Sequence, residues 1–426
     1  MKTNTAERLT VVITFIISLA GAILINRDLC PDEWARQLVS DYIYKTGRLP
    51  NGTEPETIMS NWGFSYALRP YLSSIIGAFC MRLASLFTQS PRLLLAMSRM
   101  CSVLSITGCS YFSIKAGNLL FKDRKSSILL AILICYLPQV VFIGSYQNND
   151  ALSLGAVSME LYYLIKGYKD DWSIKSCVGL GISMAIGMLS YYSIYPWILL
   201  GGIFCVIACI QNEKIEKKCT FIVSRSALVI AIVLLLSGWF FIRNAIAHNG
   251  DFLGIASEVA SREAVSAQGA TIVEYSPGRI LFSSFKDFFH YWMLYTYMSF
   301  VGGFGYMNIF LGKVQYCIYG LSVGVLELWV MIKAFLDTNK TKMVTLFQLL
   351  LLFGGVSVML LSIYASYYRD LQAQGRYIIT AVLPMSFAIA YGIDRFAGKA
   401  ARIILGSAWI GMFLWAFFGT MSSMFI

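Results

Sequence analysis

Between Arg225 and Arg243 the chain reads SALVIAIVLLLSGWFFI, residues 226–242, without a single charge. About 20 largely apolar residues make one helical crossing of a bilayer. A helix that is apolar on every side has no use for water on any side. Outward from this stretch the pattern recurs. Toward the amino end, apolar segments lie near 195–211, 175–191, 150–166, 127–144, 93–114 and 8–26; toward the carboxyl end they lie near 314–334, 343–364, 377–392 and 402–421. Composition agrees: of 426 residues 57% are hydrophobic and 13% charged, half the share of about 25% that soluble domains use to cover themselves. The expectation is an all-α polytopic membrane protein, with about 11 transmembrane helices in one membrane domain over residues 1–426.

Lysine and arginine set the orientation. The short loops 115–125, 166–175, 214–225, 333–342 and 395–402 are basic, which places them in the cytoplasm. Counting back puts the amino terminus inside, and the loops 144–150, 243–313 and 365–376 outside. A twelfth apolar stretch, 71–88, carries Arg82 in its middle. If it crossed, loop 115–125 would be forced outside, so it reads as a helix lying in or dipping into the outer interface. The first segment lacks a strongly basic leader and reads as an uncleaved helix. The net charge of +11 is a topology signal rather than a nucleic-acid footprint, because it is dispersed over short loops. Nine of the ten cysteines lie in or beside apolar segments, where the thiol acts as a small hydrophobe; Cys30 alone lies in a polar loop. Two histidines, His248 and His290, cannot build a clustered imidazole zinc site; the expectation is a site with no metal and no cofactor.

The external segments 27–92 and 243–313 are too long to be mere connectors, and they hold the residues able to do chemistry. Pro31-Asp32-Glu33 follows the first span. Proline suits the first turn of a helix, so the acid pair falls at a helix start, serving as simple caps or as a general base at a dry membrane rim. Gly47 stops that helix. Asn148-Asn149-Asp150 form a polar mouth, to orient a hydroxyl or to cap the next helix. Arg243-Asn244 sits where a span meets the interface, as a phosphate grip or a snorkelling anchor. Gln374-Gly375-Arg376-Tyr377 brings a second arginine to the same side. The aromatic run His290–Tyr306 is an interfacial belt or a wall for a lipid tail or sugar ring.

Taken in order, these pieces resemble the GT-C glycosyltransferases, membrane enzymes that take sugars from polyprenyl phosphates, in the bacterial branch related to protein O-mannosyltransferases and aminoarabinose transferases. The likeness runs over residues 8–392. It rests on Pro31-Asp32-Glu33, Arg69-Pro70, Ser98-Arg99, Asn148 with Asp150, Arg243-Asn244, the glycines around 302–305 and Gln374–Tyr377. One departure is Arg36, where related sequences often carry histidine. The resemblance implies an inverting transferase. Asp32 would be the catalytic base, with Glu33 and Asp150 as supporting acids. Arg243, Arg376 and Arg69 would hold the donor phosphate, and Asn148, Asn244 and Gln374 would touch sugar or acceptor. Its partners would be an undecaprenyl- or dolichyl-phosphate sugar, a glycan, lipid or protein acceptor, and the bilayer itself; low cysteine outside the spans and compact size fit a bacterial inner membrane. The sequon Asn51-Gly52-Thr53, facing outside, leaves a eukaryotic origin with dolichol open as well. A transporter or flippase is the alternative class; it would place charges at the bilayer midplane between internal repeats, and no repeat is legible.

Overall fold

The computed structural model describes residues 4–336 and 341–425; positions 337–340 of the basic loop 333–342 lie outside the described residues. Helix α1 (Thr5–Leu24) opens with Asn4 and Glu7 each bonding the other's backbone amide, a reciprocal cap that satisfies two orphan donors. Next come α2 (Glu33–Thr46), α3 (Leu72–Ser85), α4 (Pro91–Ser98), α5 (Met100–Leu120), α6 (Arg124–Cys135), α7 (Pro138–Ile143), α8 (Asp150–Lys169) and α9 (Ile174–Met188). The chain continues through α10 (Tyr195–Gln211), α11 (Lys218–Ala247), α12 (Ile255–Ala267), the single turn α13 (Phe285–Asp287), α14 (Leu294–Gly302), α15 (Lys313–Leu336), α16 (Lys342–Tyr368), α17 (Val382–Phe396) and α18 (Lys399–Gly419). Two small antiparallel hairpins interrupt the helices: β1 (Ile58–Met59) with β2 (Phe64–Ser65), and β3 (Gly303–Phe304) with β4 (Ile309–Phe310).

Each of the eleven expected segments is helical, but they are not equal. Among the described residues, seven helices are long and apolar enough to cross a membrane on their own, or eight if the bent pair α4–α5 is one span. The remaining segments differ for local reasons. The stretch 127–144 is broken between α6 and α7 because Pro138 lacks an N–H and holds Leu137 extended, so the first helix cannot continue through it. Helix α8 carries Glu160 and lies packed between α5 and α9, shielded from lipid by its neighbours. By contrast α11 is almost bare: Ile230, Leu234, Leu235, Ile242 and Ile246 stand exposed, the surface a lipid tail would cover. Helix α3, residues 72–85 of the ambiguous stretch, has 14 residues, short of a crossing. It packs against α2 and α4.

The two ends of the bundle are chemically distinct. At one end Asp394 accepts from the Lys122 and Asp123 backbone amides and from Ser126, and Arg402 pairs with Asp123 and Asp394. Glu7 binds Asn118 and Arg124 there. At the other end the loops beyond α1, α11 and α16 interlock: His248 bonds Asn51, Leu371 bonds Ser276, and Asn26 bonds Met424. The basic loops 115–125 and 395–402 therefore share one face and the acid motif has the other, as the charge pattern demands.

Candidate active site

Helix α2 is built to be buried on two sides. Ala35, Val39 and Ile43 recur every four residues and pack on Phe64, Tyr66, Tyr71 and Ala78, the spacing of one helical face. A second stripe, Glu33, Arg36, Gln37 and Ser40, is buried yet polar. Buried polar groups need partners, and most of these have them. Ser98 donates to Gln37, and Gln147 donates to Ser40. Glu33 is fully buried, takes Arg99 at 2.8 and 2.6 Å, and accepts the Gln147 amide at 2.7 Å. Arg99 also donates to the Ala22 and Ile25 carbonyls at the end of α1. It sits at the 42° bend between α4 and α5.

Asp32 behaves differently from its neighbour. It stands at the helix start with φ 63°, in the left-handed region, and its side chain caps no amide of α2. Such a conformation costs about 1 kcal/mol or more in a non-glycine residue and persists where surroundings enforce it. Its carboxylate turns to Arg376, 2.8 Å from Nη2. Arg376 is buried, donates from Nε to Gln374 at 2.7 Å and from Nη2 to the Tyr377 hydroxyl at 3.1 Å. Its Nη1 is buried without a hydrogen-bond partner among the described residues. Gly375 makes this placement possible, since a Cβ there would lie 2.1 Å from the Phe300 amide nitrogen.

One turn along α2 from Asp32 comes Arg36. Its guanidinium lies 4.3 Å from the centre of the Tyr66 ring, a cation–π distance. Its Nε is buried and unpartnered among the described residues, although the charges of Asp32 and Asp150 reach it. Burial pushes the Asp32 carboxyl up, but the guanidinium groups of Arg376, Arg36 and Arg69 outweigh it and hold Asp32 below the usual carboxylate range. Asp150, at the start of α8, is buried and makes no side-chain hydrogen bond among the described residues. Capping falls instead to Asn148, whose Oδ1 accepts the Ala151 amide. Tyr191 stacks on Tyr377 at 6.2 Å. The cluster joins two acids and two incompletely bonded arginines in a setting that is otherwise aromatic. An oxyanion would satisfy the free N–H groups, and a hydroxyl would find a carboxylate base.

Not every expected residue joins it. Arg243 donates to the Pro50 and Ala67 carbonyls, the Tyr71 hydroxyl and Asn244, so only its Nε is left over. It is a clasp for the loop 50–71. Asn244 completes that clasp through the Leu68 carbonyl. Asn148 has both its amide hydrogens and its oxygen bonded to backbone. Arg69 is paired in two-pronged fashion with Glu258 at 2.6 to 2.9 Å. Arg36 escaped the sequence reading as a site residue, although its position four after Asp32 puts both on one side of a helix.

The sequence model of a family described as "Predicted membrane protein (DUF2142)" matches residues 47–385, most of the chain. The chain belongs to that family. No curated protein matches it in sequence. Among solved structures, this DUF2142 member is similar to ArnT, an aminoarabinose transferase, from Cupriavidus metallidurans bound to undecaprenyl phosphate. Identity is 12% with a TM-score of 0.55, over 95% of this chain and 63% of the other. The apo form of the same protein aligns at 13% identity and 0.55, over 93% and 61%. The DUF2142 member thus spans under two thirds of those longer chains and shares their GT-C membrane fold.

Proposed function

We propose that this protein is an inverting glycosyltransferase, moving a sugar from a polyprenyl phosphate to a glycan, lipid or protein hydroxyl at the outer face of the membrane. The observation that carries the reading is the grouping of Asp32, free of any capping role, with Arg36 and Arg376, each holding an unused buried N–H. Arg36 and Arg376 hold the donor phosphate, and Arg69 adds charge from its flank. The acceptor oxygen forms its bond to the anomeric carbon while the bond from that carbon to the phosphate oxygen breaks. The electron pair leaves with the lipid phosphate, and the acceptor proton passes to Asp32. Positive charge beside the departing phosphate stabilises what grows in the transition state. Asp150 helps to orient Arg36 and Arg376, and Gln374 holds Arg376 and faces the bound sugar. ArnT was solved with undecaprenyl phosphate, which supports a polyprenyl phosphate as the donor carrier. The loops 27–92 and 243–313 act as one cover over the site.

The test is incubation of the purified protein with labelled undecaprenyl-phosphate sugars and identification of the lipid that copurifies. Arg36→Ala should weaken donor binding at least ten-fold, as loss of a charge-assisted contact implies. Arg36→Lys restores part of it, lacking the planar fork. One observation favours the transport alternative: Glu160 is buried within α8 with Oε1 unpartnered among the described residues, and intramembrane acids often mark transport paths. Lipid movement by purified protein that transfers no sugar, abolished in Glu160→Gln, would select that alternative.

A further inference from the structure

The loop segment 243–313 carries a helical stretch whose exposed side is apolar. It runs from Phe285 to Gly302, with a π-helical turn over Phe288–Met293, a rare form. Burial divides it into two sides. Phe288 stacks on Trp292, and Trp292 donates to Ser366 Oγ at 3.0 Å in the last turns of α16. Further along, Ser299 Oγ holds the Gly375 amide. On the other side stand Phe285, Phe289 and Met293, four apart and so on one helical side, and they are 77%, 49% and 38% exposed. Water alone would leave three large apolar groups uncovered together, the mark of an interaction surface.

The neighbouring helix sets the depth of that side. With 27 residues α16 is about 40 Å long, so its ends pass the hydrocarbon core of about 30 Å and reach the headgroup layers. Two bonds to Ser366, from Trp292 and from the Gly278 amide at 2.9 Å, hold the stretch at that level. Leu360, Leu361 and Tyr364, on the preceding turns of α16, stand exposed, so the apolar side continues the surface of a span. Cations border it: Arg279, whose guanidinium lies 5.4 Å from the Tyr368 ring centre, and exposed Lys286 and Arg369. The acids next to Lys286 and Arg369 in sequence, Asp287 and Asp370, are engaged by the Ser284 hydroxyl and the Ser276 amide. We propose that residues 285–293 and the last turn of α16 form a foot seated in the leaflet on the acid-motif side. Phe285, Phe289 and Met293 lie among acyl chains, and Arg279, Lys286 and Arg369 meet lipid phosphates, the division an interfacial helix uses. The occupant is lipid rather than a second copy of the chain or another protein, because the surface is continuous with that of a span. Through Ser299 the foot also ties the turn that carries Arg376 to the membrane surface.

The test is the depth of a nitroxide on Phe289→Cys, with Cys80, Cys219 and Cys317, the cysteines that are not buried, changed to Ser. The protein is placed in vesicles of phosphatidylethanolamine and phosphatidylglycerol, and transfer activity does not enter the reading. Oxygen dissolves in lipid and a nickel chelate stays in water. The ratio of oxygen to nickel collisions at position 289 should exceed that at exposed Glu274→Cys several-fold. Phe285→Cys should agree, and since both phenylalanines are exposed neither substitution disturbs the core. A label at 289 that meets the nickel chelate as freely as the one at 274 would overturn the proposal. A label shielded from both reagents and broadened by a second label would also overturn it, giving the surface to another copy of the chain. Adding Lys286→Glu and Arg369→Glu should lower the ratio at 289 in these anionic vesicles; an unchanged ratio would overturn the phosphate contacts.

Discussion

Asp32 and Glu33 are adjacent in sequence and chemically opposite in the fold. Glu33 neutralises a fully buried arginine, so Glu33→Gln leaves Arg99 without its counter-ion. Breaking such a pair costs about 3–5 kcal/mol, and a fall in melting temperature should report it. Replacing both residues with apolar ones of similar size should recover much of the loss. Asp32→Asn also takes the charge from a buried pair, with Arg376. The asparagine oxygen can still accept from Nη2, however, the side chain caps nothing, and asparagine tolerates the left-handed region. That variant should fold, bind undecaprenyl phosphate, and transfer sugar about 10²- to 10⁴-fold more slowly. Near-normal transfer by folded Asp32→Asn protein would remove Asp32 as the base. The acid limb of kcat/KM follows the same residue, since that profile reports the free enzyme. Asp32 is active when deprotonated, and its arginine neighbours hold its pKa down. Activity should therefore persist below the pH at which ordinary carboxylates protonate. In Arg376→Gln, loss of the nearest cation should move the limb to higher pH.

At the scale of elements, α2 and the turn after α16 meet with little tolerance. The turn Gly375–Ala381 lies against α14, with the Gly375 amide on Ser299 Oγ at 2.6 Å. Gly375→Ala must push this turn off Phe300, and overpacking of this kind costs about 1–3 kcal/mol. Because Arg376 rides on the same turn, transfer should fall by more than thermal stability alone accounts for. Comparing the fraction folded with the specific activity of the purified variant checks it. Arg243 belongs to this scale too. As the clasp of loop 50–71, Arg243→Ala should lower stability and leave the shape of the pH profile unchanged, unlike Arg376→Gln.

For the whole molecule, the interlocked loops at one end and the basic network at the other make the sidedness testable. Single cysteines at Leu120 and Glu216 should react only from the cytoplasm, and those at Pro55 and Ala270 only from outside. Labelling of position 120 from outside would reverse the assignment. What the sequence determined by itself was the solvent: uncharged runs such as 226–242 and the spacing of lysine and arginine dictate helices in lipid and sort the loops to two faces, because a bilayer penalises charge wherever it lies. The acid motif was legible for the same reason, since carboxylates at a membrane rim stand out against an apolar background. Which acid pairs with Arg99 and which with Arg376, and which arginine is a clasp, were decided only by tertiary contacts. Arg36, Arg243 and Arg376 carry the same group, and a guanidinium becomes a structural tie or keeps N–H groups to spare according to whether backbone carbonyls nearly two hundred positions away reach it first.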